Sequence, residues 1–360
     1  MQITQNKQFI KYIAYLQVIG IILVVLGHSL HEYPDGDMGR TTLLHRMMHS
    51  FTMPLFLFVS GFLMVFTTQR RASSPQPSIA HFSKQKLKRL ILPFVFLTII
   101  TFIPRALLSN YADDSVDMSI TTFFKALFYS DSLIIPYFWY IQANFLLLVF
   151  SYTIITLGEK LKINNLLPYI FLTLLFAILP LLPIDFGWFF SISNAIGLGF
   201  YFVLGAFYSK FTDKLNRLIP WESPLFLLFT TATWAFLFFI TENTPCMLFC
   251  SIFGIAMCIS VAKLLELHKI TIFDHLIGAN YIIFLLSWYC NVTTQQGFHN
   301  FVTLPWWCHS ILSLVSGVYL PWLLYRYLQR HSNNQAVRVA TTLLGQSFKH
   351  NSTATKDAKA

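Results

Sequence analysis

His28 closes the first apolar run of this chain, in Val25-Leu26-Gly27-His28-Ser29. A neutral imidazole can take a proton from a hydroxyl at neutral pH, and few other side chains can. An ionisable group at the end of a membrane-spanning segment is costly to desolvate, which marks it as a functional candidate. At about 100° per residue, Gln17, Ile21, Val24, His28 and His31 fall on one helical face. Gln17 and His28 stand in one column, roughly 16 Å apart along a helix. Such a polar stripe faces other helices or a water-filled cavity rather than lipid. The competing role for His28 is an interfacial hydrogen bond to a neighbouring helix.

A second set of polar residues follows. His49-Ser50-Phe51-Thr52-Met53-Pro54 opens the next apolar run, with the proline in its first turn, where a missing N–H costs nothing. Ser60-Gly61 allows close approach of another backbone. His45 and His49 have the i,i+4 spacing of a metal pair, but no carboxylate or cysteine motif stands beside them, so no metal site is expected. The segment 69–89 is the most basic, with Arg70, Arg71, Lys84, Lys86, Lys88 and Arg89, and reads as a loop. Its baseline role is topological anchoring and attraction to anionic headgroups. Lys86 and Arg89, one turn apart, can in addition hold a phosphorylated donor. Pro136-Tyr137-Phe138-Trp139-Tyr140 is an aromatic belt or, with Gln142 and Asn144, a surface suited to a sugar.

The elements that must position these residues are apolar. Hydrophobic residues make up 55% of the 360 and aromatics 17%, whereas charged residues make up 11%, well below the roughly 25% of soluble proteins. Continuous apolar runs near twenty residues recur, which excludes a β-barrel and predicts an all-α, polytopic helix bundle. Ten spans are expected, near 9–30, 48–68, 90–108, 134–157, 166–183, 187–208, 223–241, 245–264, 275–293 and 303–325. One set of loops holds every Lys and Arg except Arg40, Arg46, Arg105 and Lys125, so both termini are expected in the cytoplasm. The net charge of +10 is therefore a topological signal, not a nucleic-acid surface. Cys246, Cys250, Cys258, Cys290 and Cys308 form no CxxC pair and read as apolar fillers. Residues 1–328 are expected to form the transmembrane domain, and the polar tail 329–360 to be disordered.

In this order the motifs resemble those of the acyltransferase 3 family of integral membrane acyltransferases, which includes bacterial O-acetyltransferases of surface polysaccharides. The resemblance covers about residues 9 to 328. It is carried by Val25-Leu26-Gly27-His28-Ser29, Met53-Pro54-Leu55-Phe56 with Ser60-Gly61, Lys88-Arg89-Leu90-Ile91-Leu92-Pro93 and Trp139-Tyr140. Phe202-Val203-Leu204-Gly205-Ala206-Phe207 and Gly278-Ala279-Asn280-Tyr281-Ile282-Ile283-Phe284 complete the set. It implies a bacterial cytoplasmic-membrane enzyme that takes an acyl group, such as acetyl, from cytosolic acyl-CoA as co-substrate, with no bound cofactor. The acceptor it implies is a hydroxyl of a surface or lipid-linked glycan. The family's first-helix histidine maps to His28, which would be the base or proton relay. Its basic motif after helix two maps to Arg89, with Lys86 where arginine is usual, as the residues that would hold the donor. Gln17, Ser60 and Trp139 would line the pocket. The chain departs from the family where Ala14 and Gln17 replace an acidic residue and an arginine, and where Thr52 and Ser287 replace histidines.

Two readings of another class use the same residues. In one, the polar column and aromatics form a conduit for a flippase or exporter of a glycan or lipid intermediate. In the other, the chain is an inactive scaffold.

Overall fold

The structure, a computed structural model, describes residues 2–30, 38–69, 76–107, 117–240, 244–301 and 305–348. His31, Arg70, Arg71 and the acidic residues Glu32, Asp35, Asp37, Asp113 and Asp114 lie outside these residues. The chain is built from α1 (Gln2–Ser29), α2 (Met38–His49), α3 (Thr52–Gln69), α4 (Ile79–Lys86), α5 (Leu92–Leu107), α6 (Ile120–Phe128), α7 (Trp139–Lys160) and α8 (Leu167–Ile178). It continues with α9 (Ile192–Lys210), α10 (Thr212–Leu218), α11 (Pro224–Ile240), α12 (Thr244–Leu267), α13 (Asn280–Phe301), α14 (Trp306–Arg330) and α15 (Gln335–Leu343). Among the described residues the fold is all-α, with one isolated β-bridge between Tyr129 and Phe189.

Among the described residues, seven segments are long and apolar enough to cross a membrane: Lys11–Ser29, Leu43–Thr68, Ile79–Leu107, Pro136–Lys160, Ile192–Lys210, Met247–Leu267 and Trp306–Arg330. Two shorter apolar helices, Leu167–Leu181 and Pro224–Ile240, lie between them in sequence. On α11, Leu225, Leu228, Phe229, Phe236 and Phe239 face outward, as a lipid-facing surface requires.

Helix α1 is apolar nearly all round because it serves two cores. Its inner face gives Tyr12, Tyr15 and Leu16 to a cluster with Phe58, Phe62, Trp234 and Ile259. Val18, Ile21 and Val25 join another with Phe94, Phe138, Ile141 and Ile282. The closest helix pair is α3 with α9. A Cβ on Gly61 would lie 1.8 Å from the Phe202 carbonyl oxygen, and one on Gly205 would lie 1.9 Å from that of Phe58. Only hydrogen fits at either position, which explains two of the motif glycines.

Two prolines shape the site by the carbonyls they leave free. Proline has no N–H, so the carbonyl four residues before it loses its helical donor. Pro54 thus frees the Ser50 carbonyl, and the chain breaks between α2 and α3. The Ser251 hydroxyl supplies the donor at 2.6 Å, and Trp234 Nε1 donates to Ser50 Oγ at 3.1 Å. Pro93 frees the Arg89 carbonyl. There α4 runs into α5 through a π-turn over Leu87–Ile91, and the Tyr281 hydroxyl donates to Arg89 O at 2.8 Å.

Two expectations need correction. The basic stretch 69–89 is a loop only in part: from Ile79 it is helical, opened by Ser78, whose Oγ accepts from the His81 amide. Polar residues in the first turns of a helix hide it from a hydropathy scan. The tail is likewise not disordered throughout. Gln335–Leu343 forms α15, with Val337, Thr341 and Leu344 buried, and the Phe348 ring packs on Tyr325. Gly345 ends this helix in the left-handed region (φ 65°), tight against the Arg89 carbonyl.

Candidate active site

The residues singled out in the sequence divide between two adjoining places. The first is a cavity of about 400 Å³ among α1, α3, α4, α7 and α13. Gln17, Ser60, Lys86 and Arg89 all line it, with Tyr140, Asn144, Asn280, Tyr281 and Phe284. Lys86 is half-buried and its ammonium lies 5.0 Å from the centre of the Phe82 ring, whereas the Arg89 side chain is exposed. The cations therefore stand at the exposed part of the wall. Deeper in, the polar groups are neutral: Ser60 Oγ donates to Asn144 Oδ1 at 2.6 Å, and Asn280 Nδ2 faces Gln17 Oε1 at 3.4 Å. Where the family carries a charged residue at the place of Gln17, this chain has a loose amide pair.

Trp139 is not in this wall. It is half-buried and meets Tyr140 edge-on, with ring centres 6.3 Å apart. Its neighbours Tyr140 and Asn144 take the place expected for it. Gln142 also points elsewhere: fully buried, it donates to Leu127 O and accepts from Ser191 Oγ, a structural bridge.

The second place surrounds His28, about three helical turns beyond Gln17. His28 does not line the cavity. Its ring stacks on Tyr137, with centres 3.6 Å apart and planes 16° from parallel. The His49 ring meets it edge-on at 5.4 Å, and His45 lies 4.1 Å from His49. The imidazole nitrogens of His28, His45 and His49 can be chosen so that all lie within 4.8 Å of one another. The backbone of His28 is held too, because Gln295 Nε2 donates to its carbonyl at 3.2 Å. The break at Ser50 lets this gathering form, since it frees α2 from the axis of α3 and turns His45 and His49 toward α1.

The 3-10 turn Pro136–Phe138 and the start of α7, into which it leads, link the two places. Tyr137 covers His28, and Tyr140, one turn on, lines the cavity. Phe56 closes the same end. It packs 3.2 Å from the Cβ position of Gly20, one turn beyond Gln17, and meets the Tyr140 ring at 5.8 Å; Phe284 meets Tyr140 at 5.4 Å. Phe56, Tyr140 and Phe284 thus form an aromatic wall at one end of the cavity, and His28 lies eight residues beyond Gly20 on α1, about 12 Å along the helix.

The sequence presents Tyr137 and Tyr140 as an aromatic belt or sugar surface, and Asn280 and Tyr281 only as parts of a motif, with no sign that they meet His28 or line this cavity. Gln346, which also lines the cavity, lies in the presumed tail; the Asn334 cap and the glycine at position 345 were the available signals for its helix.

Apolar helices of spanning length around an internal cavity with a cationic mouth define an integral membrane protein. A family model described as an acyltransferase domain matches residues 10–326, and the chain belongs to this family, acyltransferase 3. No curated protein and no solved structure matched it.

Proposed function

We propose that this membrane acyltransferase moves an acyl group, acetyl in the simplest case, from cytosolic acyl-CoA to a hydroxyl of a surface or lipid-linked glycan. The observation that carries this reading is the cavity lined by Lys86 and Arg89 and by the aromatic residues Phe56, Tyr140 and Phe284, with Tyr137, three residues before Tyr140, stacked on His28. Lys86 and Arg89 meet the phosphates of the donor, as point charge and as planar fork. The long acyl-bearing arm runs inward past Gln17, Ser60 and Asn144, whose neutral groups suit an amide-containing chain. The thioester carbonyl then comes to rest against the aromatic end, and displacement of Phe56 or Tyr140 joins it to the His28 compartment.

There the acceptor hydroxyl attacks the carbonyl while His28 Nδ1 or Nε2 accepts its proton. The C–O bond of the ester forms and the thioester C–S bond breaks. The proton held by His28 returns to the coenzyme A sulfur. Tyr137, stacked on the ring, fixes its orientation.

The helices fit ten spans when α8, α11 and α13 are added to the seven long ones. With the basic loops inside, both termini lie in the cytoplasm of a bacterial cell, which puts the cavity mouth on the donor side and His28 on the acceptor side.

His28→Gln tests the chemistry. Glutamine keeps the size and some hydrogen bonding but removes the basicity. The variant should insert and bind coenzyme A normally, yet lose acyl transfer on the order of a hundredfold or more. Acylation of the glycan near the normal rate would leave His28 as a packing residue.

A further inference from the structure

The sequence shows His45 and His49 as a pair without a third partner; the fold supplies one, His28. We propose that His28, His45 and His49 bind a divalent first-row transition-metal ion of the zinc type, and that an ion held there blocks acyl transfer by occupying the lone pair of His28. The second half rests on the reading of His28 as the base; the first half does not.

Geometry carries the site. Three imidazole nitrogens lie within 4.8 Å of one another. Tetrahedral coordination at the usual zinc–nitrogen distance of about 2.0–2.1 Å places ligand nitrogens roughly 3.4 Å apart. The rings therefore need to close by at most about 1.4 Å, within the reach of small changes in side-chain torsion. His45 and His49 stand one turn apart on α2, a spacing that presents two imidazoles to one ion. His28 comes from α1, and its position is fixed by the stacked Tyr137 ring and by the bond from Gln295.

A second, independent observation points to a ligand. His49 Nε2 is buried and has no hydrogen-bond partner among the described residues. A buried, unsatisfied nitrogen is destabilising, and a metal ion is a partner that removes that cost. The donor set selects the ion. Three neutral imidazoles suit zinc, copper or nickel, whereas magnesium and calcium require oxygen ligands. Three protein ligands leave one tetrahedral position for water.

The consequence for His28 is direct. A nitrogen that donates its lone pair to a metal cannot accept a proton from a hydroxyl. The ion therefore acts as a reversible block on the acceptor side and leaves the donor cavity untouched.

The test uses the full-length protein in detergent, carrying a purification tag without histidine. Zinc chloride titrated calorimetrically should bind at one ion per chain, and magnesium chloride should give no binding. His45→Ala and His49→Gln should each weaken zinc binding by more than about a hundredfold, beyond what the loss of a merely supporting group costs. Thermal melting confirms that each variant is folded, and the two differ enough in size that one serves if the other does not fold. If the unaltered protein does not bind zinc, or if both folded variants bind as it does, the site does not exist. Acyl transfer by the unaltered protein should fall with zinc and return with a chelator; full activity of the zinc-loaded protein would overturn the block alone. Should His28→Gln retain transfer, the base assignment falls while the zinc titration still decides the site.

Discussion

At the scale of single residues, chemistry and charge separate cleanly. His28 and Arg89 belong to different compartments, so their variants should fail in different ways. Arg89 projects at the cavity mouth, and its side chain is exposed, so reversing its charge leaves the packing intact. Arg89→Glu should weaken coenzyme A binding by about tenfold or more, as expected when an attractive charge-assisted bond becomes a repulsion. Equilibrium binding of labelled coenzyme A measures it. Unchanged affinity in folded protein would reduce the basic segment to a topological anchor. Both residues were legible in the sequence because each is an ionisable group at a helix end. Tyr137 and Asn280 were not. Their roles depend on which helices become neighbours, and an aromatic or amide at a membrane boundary has many uses.

At the scale of elements, apolar runs announced most helices, since lipid forces every backbone group to be satisfied within its own segment. The failures were polar helices. Ile79–Lys86 carries few apolar residues, and Gln335–Leu343 is a short amphipathic helix whose apolar residues are interleaved with polar ones, so hydropathy left them as loop and tail although their caps were visible at Ser78 and Asn334. The meeting of His28, His45 and His49 was also hidden, because it depends on the break before α3. That break gives a test. The Ser50 carbonyl, freed by Pro54, depends on the buried Ser251 hydroxyl. Ser251→Ala should therefore destabilise the protein by about 1–3 kcal/mol, the cost of an unsatisfied buried acceptor. Thr342→Ala is the control. Its exposed hydroxyl bonds only to its own helix, at Arg338 O, and its loss should fall within about 0.5 kcal/mol. Thermal melting in detergent compares them, and equal melting temperatures would show that Pro54 and Ser251 do not hold the break.

At the scale of the whole molecule, the bundle sets the cavity and the histidines at different depths along α1, with Phe56, Tyr140 and Phe284 at the aromatic end of the cavity. On the proposed topology, the cavity mouth lies with the cytoplasmic loops. The account thus makes the protein a path for an acyl group across the membrane, not merely a catalyst on one face. Sealed membrane vesicles of known orientation test this most directly. Acetyl-CoA labelled in the acetyl group is supplied to one face at a time, and alkali-labile label is counted in the glycan fraction. The account predicts labelled glycan when the donor meets the cytoplasmic face and none when it meets the outer face, with label lost in the His28→Gln protein. Equal labelling from both faces, or labelling only from the outer face, would contradict it.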